Sequence, residues 1–157
     1  MRIRKSVAVF MLAAVLALTA FSQAASAAVQ RNGVTDEGRG LVGSWLLTVT
    51  FPPSTGLPTT TVLSNFAASG VLTQVTLNPP GTKPGHGTWT PTGTNSFEAI
   101  TTETTSCCGG PFVVVIDGTG TFTPTEITST STFYVFLPTD LVHPVFIGTS
   151  TATGTRT

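Results

Sequence analysis

Two glutamates on one predicted strand are the residues of this chain best suited to chemistry. Glu98 and Glu103 lie five positions apart. Because successive side chains of a β-strand alternate between its two faces, this odd spacing puts the two carboxyl groups on opposite faces. A carboxyl group that faces the interior must be paired or have its pKa raised, and a raised pKa is typical of a general acid. The more ordinary alternative places both carboxylates at strand ends in water.

The remaining reactive side chains form no recognisable catalytic or metal site. His86 lies between glycines and His143 precedes Pro144, and no C-x-x-C or H-x-x-x-H spacing accompanies them. We therefore predict two solvated loop histidines, no metal and no cofactor. Serine and threonine are abundant, but the chain has no G-x-S-x-G nucleophile elbow. We predict surface hydroxyl groups rather than nucleophiles, and we assign no catalytic residue.

The only two cysteines, Cys107 and Cys108, are adjacent. Free thiols seldom persist in an exported protein. A disulfide between neighbours would be strained, because adjacent Cα atoms are about 3.8 Å apart and ordinary disulfides need at least about 4.4 Å. The alternatives are a disulfide between two chains and a redox role. We favour a structural role in which the pair locks a turn.

The amino terminus has the pattern of a secretory signal peptide. Arg2, Arg4 and Lys5 precede an almost wholly apolar run over residues 7–21, and small residues at 25–27 provide a cleavage site. This run is shorter than the roughly 20 residues that a spanning helix needs, so an uncleaved anchor is the less favoured alternative. We predict a signal peptide over 1–27, a flexible segment over 28–40, one domain over 41–157, and a secreted, extracellular protein.

The charge balance excludes two classes of partner. Removal of residues 1–27 takes away three of the seven basic residues and none of the seven acidic ones, which leaves 130 residues with a formal charge of −3. A nucleic-acid-binding protein would show a basic stripe, and adhesion to an anionic membrane needs a cluster of cations. We expect neither nucleic acid nor a membrane as a partner of the mature chain.

The mature sequence is typical of an all-β protein. Thirty-one of its 130 residues are threonine, a β-branched residue that fits a pleated surface better than a helix. Short alternating runs bounded by Gly, Pro or Asn predict eight strands. Their short connections favour an antiparallel up-and-down barrel, and a β-sandwich is the alternative. We place the strands at residues 43–51, 59–66, 71–77, 87–90, 96–104, 112–122, 127–136 and 146–157.

Several short motifs resemble those of the lipocalins and the wider calycin superfamily. The first strand carries the G-x-W signature as Gly43-Ser44-Trp45, and Gly148 to Arg156 forms a matching last strand. The stretch Gly85 to Trp89 is similar to small secreted bacterial lipocalin-like proteins, a largely uncharacterised group. The resemblance implies an eight-stranded barrel in which Arg156 packs across Trp45, a cation–π contact worth roughly 0.5–2 kcal/mol.

These observations lead to three functional hypotheses. The first is a secreted barrel that binds a small apolar molecule in its interior and has no catalytic motif. The second is a small barrel cyclase or isomerase that acts by positioning its substrate. The third is a packed structural or adhesive extracellular module. For the first, the expected ligand-binding residues are Trp89, Phe97, Glu98, Phe112, Val114, Phe133 and Tyr134, where Glu98 and Tyr134 provide polar anchors if they face inward.

Overall fold

The chain forms a closed β-barrel in which the eight strands are neighbours in sequence order and all pair antiparallel. This computed structural model describes residues 38–78, 83–107 and 110–157, without the side chain of Cys107. It confirms the predicted fold class and excludes the sandwich. The strands are β1 (Gly43–Thr50), β2 (Thr60–Phe66), β3 (Val71–Asn78), β4 (Gly85–Gly93), β5 (Ser96–Cys107), β6 (Gly110–Phe122), β7 (Glu126–Phe136) and β8 (Phe146–Arg156).

The fourth strand is longer than the sequence pattern predicts. The sequence pattern predicts a strand over residues 87–90. In the structure, β4 runs from Gly85 to Gly93 and includes Pro91. Proline has no N–H to donate to the ladder, so it was expected to end the strand. Pro91 instead pairs with Phe97, and the register shifts between Pro91 and Gly93. A β-bulge therefore accommodates the proline at the strand's end.

One end of the barrel, here called the plugged end, is filled by large side chains. Trp45, Trp89, Phe66 and Phe97 are almost fully buried there. Phe66 packs edge to face against Trp89, with the ring centres 5.7 Å apart. It packs in the same way against Phe97, with the ring centres 5.6 Å apart. Such aromatic pairs stabilise by about 0.5–1.5 kcal/mol beyond the area that they bury. The core of the domain therefore lies at this end.

A tight turn before β1 completes the plugged end. Its backbone hydrogen bond joins Leu41 N–H to the Gly38 carbonyl at 3.0 Å. Leu41 is fully buried in the core cluster, and its carbonyl accepts a hydrogen bond from the Trp45 indole at 2.8 Å. The turn thus satisfies the one polar group of a buried tryptophan.

The opposite end, here called the loop end, carries the β1–β2 connection over residues 51–59 and the β7–β8 connection over 137–145. Asp140 organises the second loop, because its carboxylate accepts hydrogen bonds from the backbone N–H groups of Val142 and His143. These bonds and the His143 ring lower the pKa of Asp140. The predicted signal peptide, residues 28–37 of the predicted flexible segment and Cys108 lie outside the described residues. Within the described residues, no helix is long and apolar enough to cross a membrane.

Candidate functional site

Strand β5 places its two glutamates on opposite faces of the barrel wall. Phe97 and Thr101 are buried at alternate positions, so Glu103 shares their inward direction. Glu98 lies on the outer face, where the Thr90 hydroxyl donates a hydrogen bond to its carboxylate at 2.9 Å. Phe97 favours this register from the sequence but does not settle it, since the outer face of the same strand also carries a large apolar residue, Ile100, which is 47% exposed.

A buried polar layer crosses the middle of the barrel interior. The Gln74 side-chain amide donates a hydrogen bond to the Ser64 hydroxyl at 3.1 Å, and its carbonyl oxygen accepts one from the Thr101 hydroxyl at 3.1 Å. On the other side of the barrel, the hydroxyls of Ser131 and Ser150 share a hydrogen bond of 2.8 Å. Buried polar groups destabilise a fold unless they are bonded, and this layer meets that requirement. No motif or spacing in the sequence singles out Ser64, Gln74 or Thr101.

Glu103 is the next inward-facing residue of β5 after Thr101. It therefore lies beside this layer, on the side toward the loop end. A methyl group built on Gly85 would lie 3.4 Å from the Glu103 Cβ and 3.6 Å from the Gln74 Cβ, so the absent side chain of Gly85 leaves space between them. The opposite neighbour of Glu103 on β6 is the buried Val114. Burial raises the pKa of Glu103, because water no longer solvates the charged form. Within the described residues, no group makes a hydrogen bond or ion pair with its carboxyl group.

Aromatic rings lie further toward the loop end. Phe133 packs edge to face against Phe51, with the ring centres 5.5 Å apart. It packs against Phe146 at a tilt, with the ring centres 5.8 Å apart. Gly148 makes this cluster possible, since a side chain at that position would overlap the rings of Phe133 and Phe146. The interior therefore changes from an aromatic core, through a polar layer beside a partly buried acid, to a second aromatic cluster.

The structure divides the seven residues predicted to bind a ligand into three groups. Trp89 and Phe97 face inward but belong to the packed core of the plugged end. Phe112, Val114 and Phe133 face inward in the half toward the loop end. Glu98 and Tyr134 are a correction, because both lie at outward positions and cannot anchor an interior ligand. Tyr134 pairs with Val115 and Ile147 on the outer wall; its neighbour Phe133 is the apolar residue that takes the inward position.

Arg156 connects the last strand to the turn that precedes the first. Its guanidinium carbon lies 4.5 Å from the centre of the Trp45 ring. It donates hydrogen bonds to the backbone carbonyls of Gly40, Val42 and Pro124, the last two at 2.8 and 3.0 Å. Gly43 has a positive φ of 132°, and a side chain there would collide with the guanidinium group. The glycine and tryptophan of the G-x-W motif therefore both contact the terminal arginine.

No protein-family model, curated protein or solved structure matches this chain. The geometry alone defines the class of protein, which is a closed eight-stranded up-and-down β-barrel with a plugged end. Within the described ranges, no group of three or more His, Cys, Asp or Glu residues could hold a metal ion. The candidate site is the inward surface around Glu103, in the half of the barrel toward the loop end.

We expect the variant Glu103→Gln to be more stable than the wild type at pH 8 and equally stable at pH 4. The folded protein raises the pKa of Glu103 above its ordinary value of 4.5, so the folded state binds this proton more tightly than the unfolded state does. The resulting stability is complete below pH 4.5 and is lost as the pH rises through the raised pKa. Thermal denaturation between pH 4 and 8 measures it, since each 1 kcal/mol moves Tm by about 4 °C.

The matched control is Glu98→Gln, which removes the exposed carboxylate from the same strand. Its Tm should stay within about 2 °C of the wild type at every pH, because surface substitutions rarely exceed about 0.5 kcal/mol. If the two variants gave the same pH profile, the carboxyl group of Glu103 would be solvated in the folded protein.

Proposed function

We propose that the protein is a lipocalin-like barrel that binds a small, mainly apolar molecule in the half of its interior toward the loop end. The observation that carries the proposal is the inward Glu103 carboxyl group, which has no partner among the described residues and a pKa raised by burial. A partly buried acid without a partner lowers stability, and perturbed acids of this kind cluster at functional sites. The resemblance of the G-x-W motif and the terminal arginine to lipocalins supports the same class.

The surroundings of Glu103 suggest the chemistry of the ligand. The aromatic cluster of Phe51, Phe133 and Phe146 would contact an apolar body, and the carboxyl group would accept a hydrogen bond from a hydroxyl, amine or amide group. The Gln74 amide lies beside this position but already bonds to Ser64 and Thr101. We therefore favour a ligand with one hydrogen-bond donor on an otherwise apolar body. Secretion by the predicted signal peptide would place this binding outside the cell.

A second candidate function rests on the same carboxyl group. A carboxyl group whose pKa is raised by burial can act as a general acid, so a cyclase or isomerase that positions its substrate in this half of the barrel is the alternative. The two functions differ in outcome, because a binding protein retains an unchanged ligand and an enzyme releases a product. A third possibility, a packed structural module, would bind no small molecule in the interior.

Native mass spectrometry of the protein purified from its own culture medium tests the binding function directly. We expect an excess mass that is lost on denaturation and is therefore a non-covalent ligand. The ligand recovered in this way is then titrated into protein from which the bound ligand has been removed. Glu103→Gln should weaken its binding by about 10-fold or more, since a hydrogen bond to a charged group contributes about 1.5–3 kcal/mol.

Glu98→Gln is again the matched control and should bind as the wild type does. Equal affinities of the two variants would remove Glu103 from the site. Conversion of the recovered ligand into a new compound by the wild type, but not by Glu103→Gln, would support the enzyme. The absence of any excess mass would contradict a stably bound ligand and favour the structural module.

A further inference from the structure

A groove of about 770 Å³ crosses the outer wall of the barrel. Its lining comes from the middle of β6, β7 and β8, together with the end of β1 and the bend at Pro52 and Pro53. Among the described residues, none from β2 to β5 contributes. Seven of the thirteen lining residues, Asp117 and six threonines, are at outward positions, and a cavity inside the barrel would also touch the strands across from it, so this groove lies outside the wall. Its volume is within the roughly 300–1,000 Å³ typical of small-molecule sites.

Threonine hydroxyl groups line this groove, here called the threonine groove. Thr119, Thr130, Thr151 and Thr50 are cross-strand neighbours in one row, and Thr132 pairs with Thr149 in the next. Within the described residues none of these six side chains makes a hydrogen bond, whereas Thr121 and Thr128 one row away bond to each other at 3.0 Å. Each free hydroxyl offers one donor and two acceptor positions to a ligand.

The charges on this wall favour a ligand without negative charge. Asp117 lines the threonine groove and also a second, smaller groove of about 240 Å³ that contains Glu98. No Lys, Arg or His residue in the described ranges lines either groove. Two carboxylates without a nearby cation repel anions and accept hydrogen bonds from hydroxyl groups. The wall therefore combines hydroxyl donors and acceptors with carboxylate acceptors.

An aromatic ring lies next to the threonine groove. Tyr134 follows Thr132 by two residues on β7, so both side chains project from the outer face. The ring lies between Val115 and Ile147 on the neighbouring strands, and Ile147 is 56% exposed. A partly exposed tyrosine presents an apolar face and a polar hydroxyl group. A ligand that extends from the groove onto Tyr134 would thus contact hydroxyl groups in the groove and the apolar face of the tyrosine ring beside it.

We propose that the threonine groove binds a neutral oligosaccharide. Sugars have many hydroxyl groups, which match the free threonine hydroxyls and the Asp117 carboxylate, and their rings have apolar C–H faces, which match Tyr134. This site is on the opposite side of the wall from Glu103. It is therefore a second binding site, independent of the function proposed for the interior.

The test is a titration of the full protein with a panel of soluble oligosaccharides by calorimetry. The neutral members are cellohexaose, xylohexaose, mannohexaose, maltohexaose and chitohexaose, and the anionic member is an oligogalacturonate. We expect at least one neutral sugar to bind and the oligogalacturonate not to bind. The double variant Thr132→Val, Thr149→Val keeps the shape of both side chains and removes both hydroxyls, so it should weaken binding by about 10-fold or more.

Two control variants test whether the sugar binds in the threonine groove. Thr153→Val removes a hydroxyl from the same outer face of β8 but outside the groove, and it should leave the affinity unchanged. Glu103→Gln should also leave it unchanged, because that side chain faces the interior. Binding of no neutral sugar would overturn the proposal. So would equal affinities of the double variant and Thr153→Val, or tighter binding of the oligogalacturonate.

Discussion

Replacing Trp45 with alanine should lower the free energy of unfolding by about 3–5 kcal/mol, the range for deleting a large aromatic side chain from a core. Trp45 has no exposed surface, and its removal would leave a cavity at the plugged end. It would also leave the Leu41 carbonyl without the indole donor that lies 2.8 Å away and the Arg156 guanidinium without its ring. Urea denaturation followed by far-ultraviolet circular dichroism measures the change.

Two further variants separate the causes of this loss. Leu46→Ala changes the next residue of β1, whose side chain points outward and is 40% exposed, and it should cost much less than Trp45→Ala. Trp45→Phe keeps an aromatic ring but removes the indole N–H, so it should fall between the two. If Trp45→Ala cost no more than Leu46→Ala, the plugged end would not be the stabilising core of the barrel.

Replacing Gly120 with alanine should destabilise the barrel by about 1–3 kcal/mol, although it adds a single methyl group. A Cβ atom at this position would lie 2.5 Å from the Thr128 carbonyl oxygen and 2.6 Å from the Phe97 ring. The backbone oxygen cannot move away without disturbing the pairing of β6 with β7, and the ring is held in the core. Thermal and urea denaturation should therefore both show a clear loss.

Gly110→Ala is the matched control on the same strand. Among the described residues, no atom lies within 4 Å of a Cβ built there, and its φ is not positive, so this variant should be neutral or slightly stabilising. Equal transition midpoints for the two variants would show that the interior near Gly120 has room for a larger side chain. That result would mean that the space available for a ligand also includes the interior near Gly120, toward the plugged end.

Together these variants define which part of the interior can hold a ligand. Gly120 makes room for Phe97, and Gly154 makes room for Leu47, so small residues at the plugged end serve tight packing. Both tryptophan indoles also donate hydrogen bonds to backbone carbonyls there. The plugged end is therefore closely packed, and the proposed interior site is restricted to the half near Glu103 and Phe133.

Local sequence patterns were sufficient to predict the fold class and the positions of the strands. Alternating apolar and threonine residues, interrupted by glycine and proline, fix where an extended chain begins and turns, because these are local preferences of the backbone. The eight predicted strands agree with β1 to β8 except for a few residues at their ends and the proline in β4. The alternation also required Glu98 and Glu103 to project from opposite faces.

Which face of each strand lines the interior, and which side chains meet there, depends on contacts between distant strands. The alternation has a period of two, so it separates Glu98 from Glu103 and Phe133 from Tyr134, but closure of the barrel determines which of each pair faces inward. The hydrogen bonds of Gln74 with Ser64 and Thr101 join residues that are 10 and 27 positions apart in the chain. The threonine groove likewise depends on how β6, β7, β8 and β1 align. Such contacts arise from long-range pairing register, which no local sequence pattern encodes.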